Sequence, residues 1–385
     1  MTIGIVGAGT MGAGIAQLCI VAGHAVRLHD ASEAALDAGR ERIDAGLERL
    51  VEKGRLTEAA RDSARQRLSL AQDPGVVASG ADVVVEAAIE DMAVKRAIFE
   101  LLDRTAPLQA ILATNTSALS VTTIAAATAH PERVLGLHFF NPAPVMALVE
   151  VVAGERSSTP VVEAAIAFTE GLGKRAIPCH DAPGFIVNRV NRPFTIEALR
   201  MLEGAEADIA AIDAAMVAAG YPMGPFALID LVGVDVNLAV AQTLFVGFGD
   251  AERFRPSPIQ AQLVAAGELG RKTGSGFYRY DQAGSATGPA PRFTARSDDA
   301  IDAGTIRSRI ELATINEAYR AAGDGVASPP DIDLALTLGA GHPVGPFARA
   351  RDIGLGHVVA QLRELEEQHG ERFRVAPSLW QVASI

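Results

Sequence analysis

The chain has 385 residues, of which 49% are hydrophobic, 21% charged and 5% aromatic, and its formal net charge is -12. This length exceeds what one hydrophobic core organises, and the composition excludes a disordered chain and a small disulfide-stapled protein. The negative charge argues against nucleic acid and anionic membrane surfaces as partners. Cys19 and Cys179 fit neither a zinc site nor a secreted disulfide framework, so we expect no metal and a reducing, cytoplasmic location.

The N-terminal stretch predicts a strand, a glycine-rich turn and a helix. Ile3 to Val6 is a short apolar run, Gly7-Ala-Gly9-Thr-Met-Gly12 follows, and Ile15 to Ala22 has an apolar helical pattern. In this context the G-x-G-x-x-G spacing indicates a dinucleotide-binding turn. Its three glycines in order permit the tight turn, let the backbone approach a pyrophosphate and let the helix pack on the strand. The same glycines make this uncharged stretch too polar for a signal peptide or membrane anchor.

A second predicted strand, Ala25 to Asp30, ends in an acidic residue. Asp30 lies at the distance from the glycines at which a carboxylate binds the 2′-hydroxyl of a ribose. The same carboxylate would repel the 2′-phosphate of NADP, so the sequence predicts NAD as the cofactor. The alternative is a glycine-rich turn with Asp30 as an ordinary helix cap.

A helical hairpin follows, and then three further strands. Ser32 to Gln66 has helical periodicity interrupted at Gly54. Lys53 lies at the turn, where it is either a solvated helix end or a contact for a ligand phosphate. Three apolar runs continue the βαβ pattern: Arg67 to Ala71, Asp82 to Ala87 and Ala110 to Asn115. We therefore expect a parallel, doubly wound sheet.

Polar residues follow two of these strands at the edge where such a sheet binds its ligands. Glu90 and Lys95 come after the strand that ends near Glu86, and Asn115 and Ser117 close the next strand. Small hydrogen-bonding side chains at this edge suit a ligand site. Taken alone, each group could also be the ordinary start of a helix.

Two further apolar strands bring a histidine and a carboxylate into the predicted core. Val134 to Phe140 carries His138 near its end and is closed by turn residues from Asn141 onward, and Leu148 to Val152 contains Glu150. A lone carboxylate inside an apolar strand is costly unless something pairs with it, so we expect His138 to be its partner. The alternative is a satisfied core histidine and an unrelated strand-end glutamate.

The remainder of the chain predicts a helical half built from a repeat. After a helix, Pro160 to Leu172, and a strand, Arg175 to His180, we place the end of the cofactor domain at residue 182. Segments near Asn188, Pro222 and Arg253 recur near Ser308, Pro343 and Arg372. We predict helical domains over 183–283 and 300–385, joined by a linker over 284–299. The predicted class is an α/β Rossmann-type doubly wound sheet followed by two all-α helical domains.

These motifs, in this order and at these separations, closely resemble the L-3-hydroxyacyl-CoA dehydrogenases. The resemblance spans nearly the whole chain and includes Asn115-Thr-Ser117, the strand around His138 and the helix start Asp181-Ala-Pro-Gly-Phe-Ile-Val-Asn188-Arg. Gly270 to Tyr278 resembles the helical-domain motif of that family. The second copy departs from the pattern, because Ser308 stands where the first copy has Asn188 and no second Gly-Arg-Lys-Thr-Gly motif follows. We therefore expect the second copy to be structural.

The resemblance implies an activity and a set of residues. The activity is reversible oxidation of an (S)-3-hydroxyacyl-CoA to the 3-ketoacyl-CoA with NAD, as in fatty acid β-oxidation. It implies His138 as general base, held by Glu150, with Ser117 and Asn188 on the two substrate oxygens and Lys53 as a further substrate contact. The implied cofactor contacts are Gly7, Gly9, Thr10, Met11, Gly12, Asp30, Glu90, Lys95, Asn115 and Asn141.

Two alternatives remain open: an NAD-binding structural or regulatory protein without turnover, and a dehydrogenase of a related 3-hydroxy acid. The joint presence of Ser117, His138, Glu150 and Asn188 argues against the first, and the lack of an obvious catalytic lysine in the helical half argues against the second. As partners we expect an acyl-CoA, no nucleic acid and no membrane. Since family members with one helical module dimerise through it, the resemblance implies a monomer with an intrachain pseudo-dimer of helical domains, or a higher oligomer through other faces.

Overall fold

A computed structural model describes residues 1–290 and 300–383. The chain divides into two compact units, Met1–Phe185 and Ile186–Ile385. The sequence predicts the end of the cofactor domain at residue 182, and this division falls after residue 185.

One mostly parallel sheet organises the first unit. Its strands are β1 Thr2–Val6, β2 Ala25–His29, β3 Leu68–Ala71, β4 Val83–Glu86, β5 Ile111–Thr114, β6 Val134–Phe139, β7 Leu148–Ala153 and β8 Arg175–His180. Within the described residues their order is β3-β2-β1-β4-β5-β6-β7-β8. Strands β1 to β6 are parallel, but β7 is antiparallel to β6, and β8 is parallel to β7. The prediction of an all-parallel sheet is therefore wrong at this edge, because the turn after β6 is too short for a crossover helix.

Helices cover both faces of this sheet. They are α1 Thr10–Val21, α2 Glu33–Glu52, α3 Glu58–Gln66, α4 Pro74–Ala78, α5 Met92–Thr105, α6 Val121–Ala125 and α7 Thr159–Gly171. Alternate residues of β4 enter different cores, since Val83 and Val85 belong to the α1 side whereas Val84 packs with Phe99 of α5. The doubly wound prediction is confirmed. So is the helical hairpin, which is broken at Gly54 with a φ of 65°.

The second unit is mainly helical. Its helices are α8 Val187–Val190, α9 Arg192–Glu203, α10 Ile209–Ala218, α11 Pro225–Val232, α12 Val234–Gly247, α13 Pro258–Ala265, α14 Ala303–Gly323, α15 Pro329–Gly339, α16 Pro346–Ile353, α17 Leu355–His369 and α18 Pro377–Ala383. A small hairpin pairs β9 Tyr278–Tyr280 with β10 Ala286–Pro289. The predicted linker over 284–299 thus overlaps a strand, and the all-α prediction missed this hairpin. The rest of that linker, residues 291–299, lies outside the described residues.

The second unit contains the predicted repeat, with one local difference. Helices α14 to α18 follow the order and spacing of α9 to α13. In the first copy Pro193 is the second residue of α9 and separates α9 from α8, because proline cannot continue a preceding helix. The second copy has Ala313 at that position, and α14 runs without a break for 21 residues.

Reciprocal ion pairs join the two copies. Arg189 Nε lies 2.8 Å from Glu317 Oε1, and its counterpart Arg309 Nε lies 3.1 Å from Glu197 Oε2. Exchanging the copies converts one contact into the other, which is the property of an interface with two-fold symmetry. The helical copies therefore pack about a pseudo-two-fold axis within one chain, as predicted.

Among the described residues, no single helix is long and apolar enough to cross a membrane. Helices α11 and α12 reach that length only together, and the pair is bent by 101°. The bend is at Gly233, whose φ of 107° is one that other residues rarely adopt.

Candidate active site

The glycine-rich turn joins β1 to α1 as the sequence predicts. Gly7 has a φ of 105°, and a Cβ there would lie 2.4 Å from the backbone that follows β4. A Cβ on Gly12 would lie 1.8 Å from the carbonyl oxygen of Gly7, whereas one on Gly9 would meet nothing within 4 Å. Gly9 and Thr10 are exposed, and Met11 packs partly on the core. The turn therefore presents open backbone at the N-terminus of α1, an arrangement suited to an anion.

Asp30 follows the carboxyl end of β2, beside this turn. Its Oδ2 accepts a hydrogen bond of 2.8 Å from the N–H of Ala8, and its Oδ1 accepts one of 3.1 Å from the N–H of Ser32. The side chain is half-buried. A carboxylate has about four acceptor positions, so Asp30 can hold the turn and still accept a hydrogen bond from a ribose hydroxyl.

Glu90, Lys95 and Ser117 belong to one polar cluster. Lys95 Nζ lies 2.7 Å from Glu86 Oε1 and 3.4 Å from Glu90 Oε2. Glu90 Oε1 accepts from the N–H of Ser117 at 2.9 Å and from its hydroxyl at 3.2 Å. Burial acts to raise the pKa of Glu90, but the Lys95 ammonium and the hydrogen bonds from Thr116 and Ser117 outweigh it and lower that pKa. Glu90 is thus an ionised acceptor beside Ser117.

Asn115 follows β5, the strand next to the His138 strand, and Asn141 follows the His138 strand itself. Asn115 Oδ1 accepts a hydrogen bond of 2.9 Å from the backbone N–H of Phe139, which leaves its amide N–H₂ group to donate elsewhere. Asn141 is exposed and precedes a cis peptide bond to Pro142. The loop after β6 packs on α1, since a Cβ on Gly14 would lie 3.1 Å from Pro144. The loop that follows the histidine strand is therefore adjacent to α1.

His138 and Glu150 face each other on the antiparallel strands β6 and β7. His138 Nδ1 lies 2.6 Å from Glu150 Oε2, and the two residues are 6% and 0% exposed. Opposite residues of an antiparallel pair project from the same face, so the reversal of β7 is what places the carboxylate on the imidazole. The predicted contact is present. It leaves the outer ring nitrogen, Nε2, for proton transfer.

Two aromatic rings lie beside the imidazole, and neither is among the predicted site residues. The ring centroids of Phe140 and Phe185 lie 4.5 Å and 5.7 Å from that of His138. Phe185 has a φ of 49°, which is unusual for a bulky residue and needs support from its surroundings. Asp181 provides an anchor nearby, because its Oδ2 accepts from the Ser120 hydroxyl at 2.8 Å. The Pro183-Gly184 pair was the signal in the sequence for this turn.

Two predicted residues remain, one in each unit. Asn188 belongs to the short helix α8 of the second unit and is half-buried. Lys53 is the exposed C-cap residue that follows α2. Among the described residues, no group of three or more histidine, cysteine, aspartate or glutamate side chains could hold a metal ion.

Two models of one protein family match the chain. The model described as "3-hydroxyacyl-CoA dehydrogenase, NAD binding domain" matches residues 2–182. The model described as "3-hydroxyacyl-CoA dehydrogenase, C-terminal domain" matches residues 184–280 and again residues 304–384. The two matches of the second model fall on the two helical copies.

Individual proteins are similar over the same regions. The 3-hydroxyadipyl-CoA dehydrogenase of Escherichia coli (strain K12) is 36% identical, over 99% of this chain and 97% of that protein. The probable 3-hydroxybutyryl-CoA dehydrogenase of Bacillus subtilis (strain 168) is 43% identical, over 72% of this chain and 96% of that protein. The crystal structure of 3-hydroxybutyryl-CoA dehydrogenase from Escherichia coli K12 has a TM-score of 0.90 and 36% identity, over 100% of this chain and 98% of that chain.

Proposed function

Because the chain belongs to the 3-hydroxyacyl-CoA dehydrogenase family, we propose that it catalyses the reversible NAD-dependent oxidation of an (S)-3-hydroxyacyl-CoA to the 3-ketoacyl-CoA, with His138 as the general base. The buried contact of 2.6 Å between His138 Nδ1 and Glu150 Oε2 carries this proposal. A catalytic histidine needs one nitrogen fixed and the other able to take a proton, and this contact provides both.

The proposed chemistry needs a base because oxidation at C3 removes a proton from the hydroxyl oxygen together with the hydride from carbon. Imidazole suits this transfer near neutral pH. Glu150 keeps the Nδ1 proton in place, so that Nε2 carries the lone pair, and it stabilises the imidazolium that forms. In the reverse direction the same imidazolium returns the proton to the oxygen.

NAD fits the residues that are present. The open backbone at Gly9 and the start of α1 suit its pyrophosphate, and the Asp30 carboxylate suits its ribose. We assign Glu90, Lys95, Asn115 and Asn141 as further contacts. When bound, NAD supplies the acceptor for the hydride.

The substrate contacts are proposed from the family pattern together with local chemistry. We assign the Ser117 hydroxyl to the 3-oxygen and the Asn188 amide to the thioester carbonyl. Donors aimed at oxygens that gain charge stabilise the transition state. Lys53 is proposed as a contact for a phosphate of coenzyme A on the basis of its charge and exposure.

Turnover of NADH with acetoacetyl-CoA tests the proposed function. We expect saturable oxidation of NADH, and slower oxidation of NADPH because Asp30 repels the 2′-phosphate. NADH binding without turnover of any 3-ketoacyl-CoA would instead indicate an NAD-binding structural or regulatory protein. Turnover of a free 3-keto acid but not of its CoA ester would indicate a dehydrogenase of a related 3-hydroxy acid.

Acyl specificity is a separate question. Similar proteins are named for 3-hydroxyadipyl-CoA and for 3-hydroxybutyryl-CoA, which differ in length and in a terminal carboxylate. A panel of 3-ketoacyl-CoA substrates from four carbons upward, with one dicarboxylic member, measures this preference. The kcat/KM values rank the substrates directly.

We also propose that the chain works as a cytoplasmic monomer. The reciprocal contacts of Arg189 with Glu317 and of Arg309 with Glu197 support this assembly, because the second copy occupies the face that a partner subunit would need. Light scattering should give a mass near 40.1 kDa. A mass of twice that value would indicate association through other faces.

A further inference from the structure

A buried ion pair at the end of β4 joins Lys95, a proposed NAD contact, to Glu86, which has no part in the chemistry proposed above. Glu86 is the last residue of β4 and is 0% exposed, and Lys95 on α5 is 1% exposed. Glu86 Oε1 accepts from Lys95 Nζ at 2.7 Å and from the N–H of Ala88 at 2.7 Å, while Oε2 accepts from the Thr114 hydroxyl at 2.7 Å. Both carboxylate oxygens are therefore fixed.

The pair is connected to Ser117 through Glu90. Lys95 Nζ lies 3.4 Å from Glu90 Oε2, and Glu90 Oε1 accepts hydrogen bonds from Thr116 and from both the N–H and the hydroxyl of Ser117. The Glu90 side chain is 40% exposed, so packing contributes little to its position. Its position depends on these polar contacts.

We propose that Glu86 is a positioning residue of the dehydrogenase. Glu86 holds Lys95, and Lys95 holds Glu90. Glu90 fixes the backbone of Ser117 and accepts a hydrogen bond from its hydroxyl until the hydroxyl donates to the substrate oxygen instead. The inference rests on the role of Ser117 in the proposed function. It adds a residue that contacts neither substrate nor cofactor.

The energetics of buried ion pairs argue against a purely structural role for Glu86. A buried ion pair is generally no more stable than well-packed apolar residues of the same volume, so stability alone does not require charges at this position. The pairing of Glu86 with Thr114 across β4 and β5 places the carboxylate at the sheet edge where ligands bind. Because Glu86 fixes Lys95 at that edge, it affects the geometry of the site.

The chain offers a matched control in the same unit. Asp103 and Arg133 form a second buried pair, with Arg133 Nη2 2.8 Å from Asp103 Oδ1 and exposures of 8% and 3%. None of the described contacts of Asp103 is to a proposed site residue. Asp103→Asn should therefore lower the thermal stability as Glu86→Gln does, and change neither kcat nor the NADH dissociation constant by more than about twofold.

The test compares Glu86→Gln, Lys95→Met and the double variant. We expect Glu86→Gln to lower kcat with acetoacetyl-CoA by about 10- to 100-fold, since a small displacement of a catalytic group has effects of this size. The NADH dissociation constant should rise several-fold. The double variant should be no slower than Lys95→Met alone, because Glu86 acts through Lys95.

Several results would overturn the proposal. One is a Glu86→Gln variant that loses stability as Asp103→Asn does but keeps kcat and NADH affinity. Another is a double variant in which the two losses multiply. If Glu86→Gln does not fold, Glu86→Leu with Lys95→Met replaces the whole pair by apolar residues, and wild-type kcat in that variant would refute the inference. If the wild type shows no turnover, the proposed function fails, and NADH affinity still decides whether Glu86 positions Lys95.

Discussion

The two helical copies of the second unit share their packing and differ at Asn188, a residue that we propose for the chemistry. In each copy an aspartate accepts hydrogen bonds from two backbone N–H groups at the start of a later helix: Asp213 from Phe226 and Ala227, at 2.9 and 3.0 Å, and Asp333 from Phe347 and Ala348, at 2.7 and 3.0 Å. The ion pairs across the pseudo-two-fold axis are shared in the same way. Arg253 binds Glu317, and its counterpart Arg372 binds Glu197.

The two copies differ at two other positions. The first copy has Asn188 and an aspartate, Asp230, that accepts hydrogen bonds from the hairpin residues Tyr278 and Tyr280. The second copy has Ser308 and Arg351 at the positions of Asn188 and Asp230. Both copies therefore keep the contacts that fold and join them, whereas only the first copy has Asn188, the residue that we assign to the site. Substitutions can therefore alter the packing contacts and the proposed site residue of this chain independently.

The largest effect is expected on stability, when a buried ion pair that both copies share is removed. Glu317 and Glu197 are 2% and 3% exposed, and each holds arginines of the other copy. Removing one partner of a buried ion pair costs about 3–5 kcal/mol, because uncompensated charge remains. We expect Glu317→Gln and Glu197→Gln to lower the free energy of unfolding by similar amounts in urea titrations.

A surface pair provides the control for these variants. Glu366 and Arg374 are 31% and 64% exposed in their side chains, and such a pair contributes at most about 1 kcal/mol. Glu366→Gln should therefore be nearly neutral. A large loss for only one of Glu317→Gln and Glu197→Gln would contradict the equivalence of the two copies.

The next largest effect is expected when Asn188, which distinguishes the first copy, is exchanged for its counterpart in the second. Asn188→Ser gives the first copy the side chain of the second and shortens the reach of a proposed donor. We expect kcat with acetoacetyl-CoA to fall by about 10²-fold or more, in line with the loss of an oxyanion donor. The reciprocal change, Ser308→Asn, should leave kcat unaltered. Equal sensitivity at both positions would mean that the second copy takes part in the reaction.

A smaller effect concerns the pH dependence of stability. Burial raises the pKa of Asp213 from 3.8 to about 6. Because the folded state holds this proton more tightly than the unfolded state, the stability that it contributes is full below about pH 4 and is lost as pH rises through about 6. The contribution is at most about 3 kcal/mol.

The test of this pH dependence again compares the copies. Asp213→Asn should remove that decline from the unfolding free energy measured between pH 4 and pH 7. Burial also raises the pKa of Asp333, but by less, so Asp333→Asn should alter the pH dependence less. An identical pH profile for the wild type and Asp213→Asn would show that this carboxyl does not titrate differently in the folded state.

Local patterns allowed much of the fold to be predicted. The glycine turn and the hairpin broken at Gly54 are fixed by residues close in sequence, so the sequence located them correctly. The direction of β7 was missed because an apolar run indicates a strand but not its orientation, which depends on the connection that precedes it. The hairpin of β9 and β10 was missed because its contacts with Asp230 are distant in sequence.

The features of the site likewise divide into those that local sequence patterns predicted and those that they did not. The cost of a lone carboxylate in an apolar strand was enough to pair Glu150 with His138. Nothing comparable identified Phe185, whose placement depends on a strained turn, or the chain of contacts from Glu86 to Ser117. Contacts that pass through several side chains are not visible in sequence spacing.

The most direct test of the account is the rate of NADH oxidation with acetoacetyl-CoA for the wild type and for His138→Ala, measured together with the NADH dissociation constant. If His138 is the general base held by Glu150, the substitution lowers kcat by about 10²–10⁴-fold. It leaves the dissociation constant nearly unchanged. Turnover that is undiminished in His138→Ala would contradict the assignment of this histidine and the proposed mechanism with it.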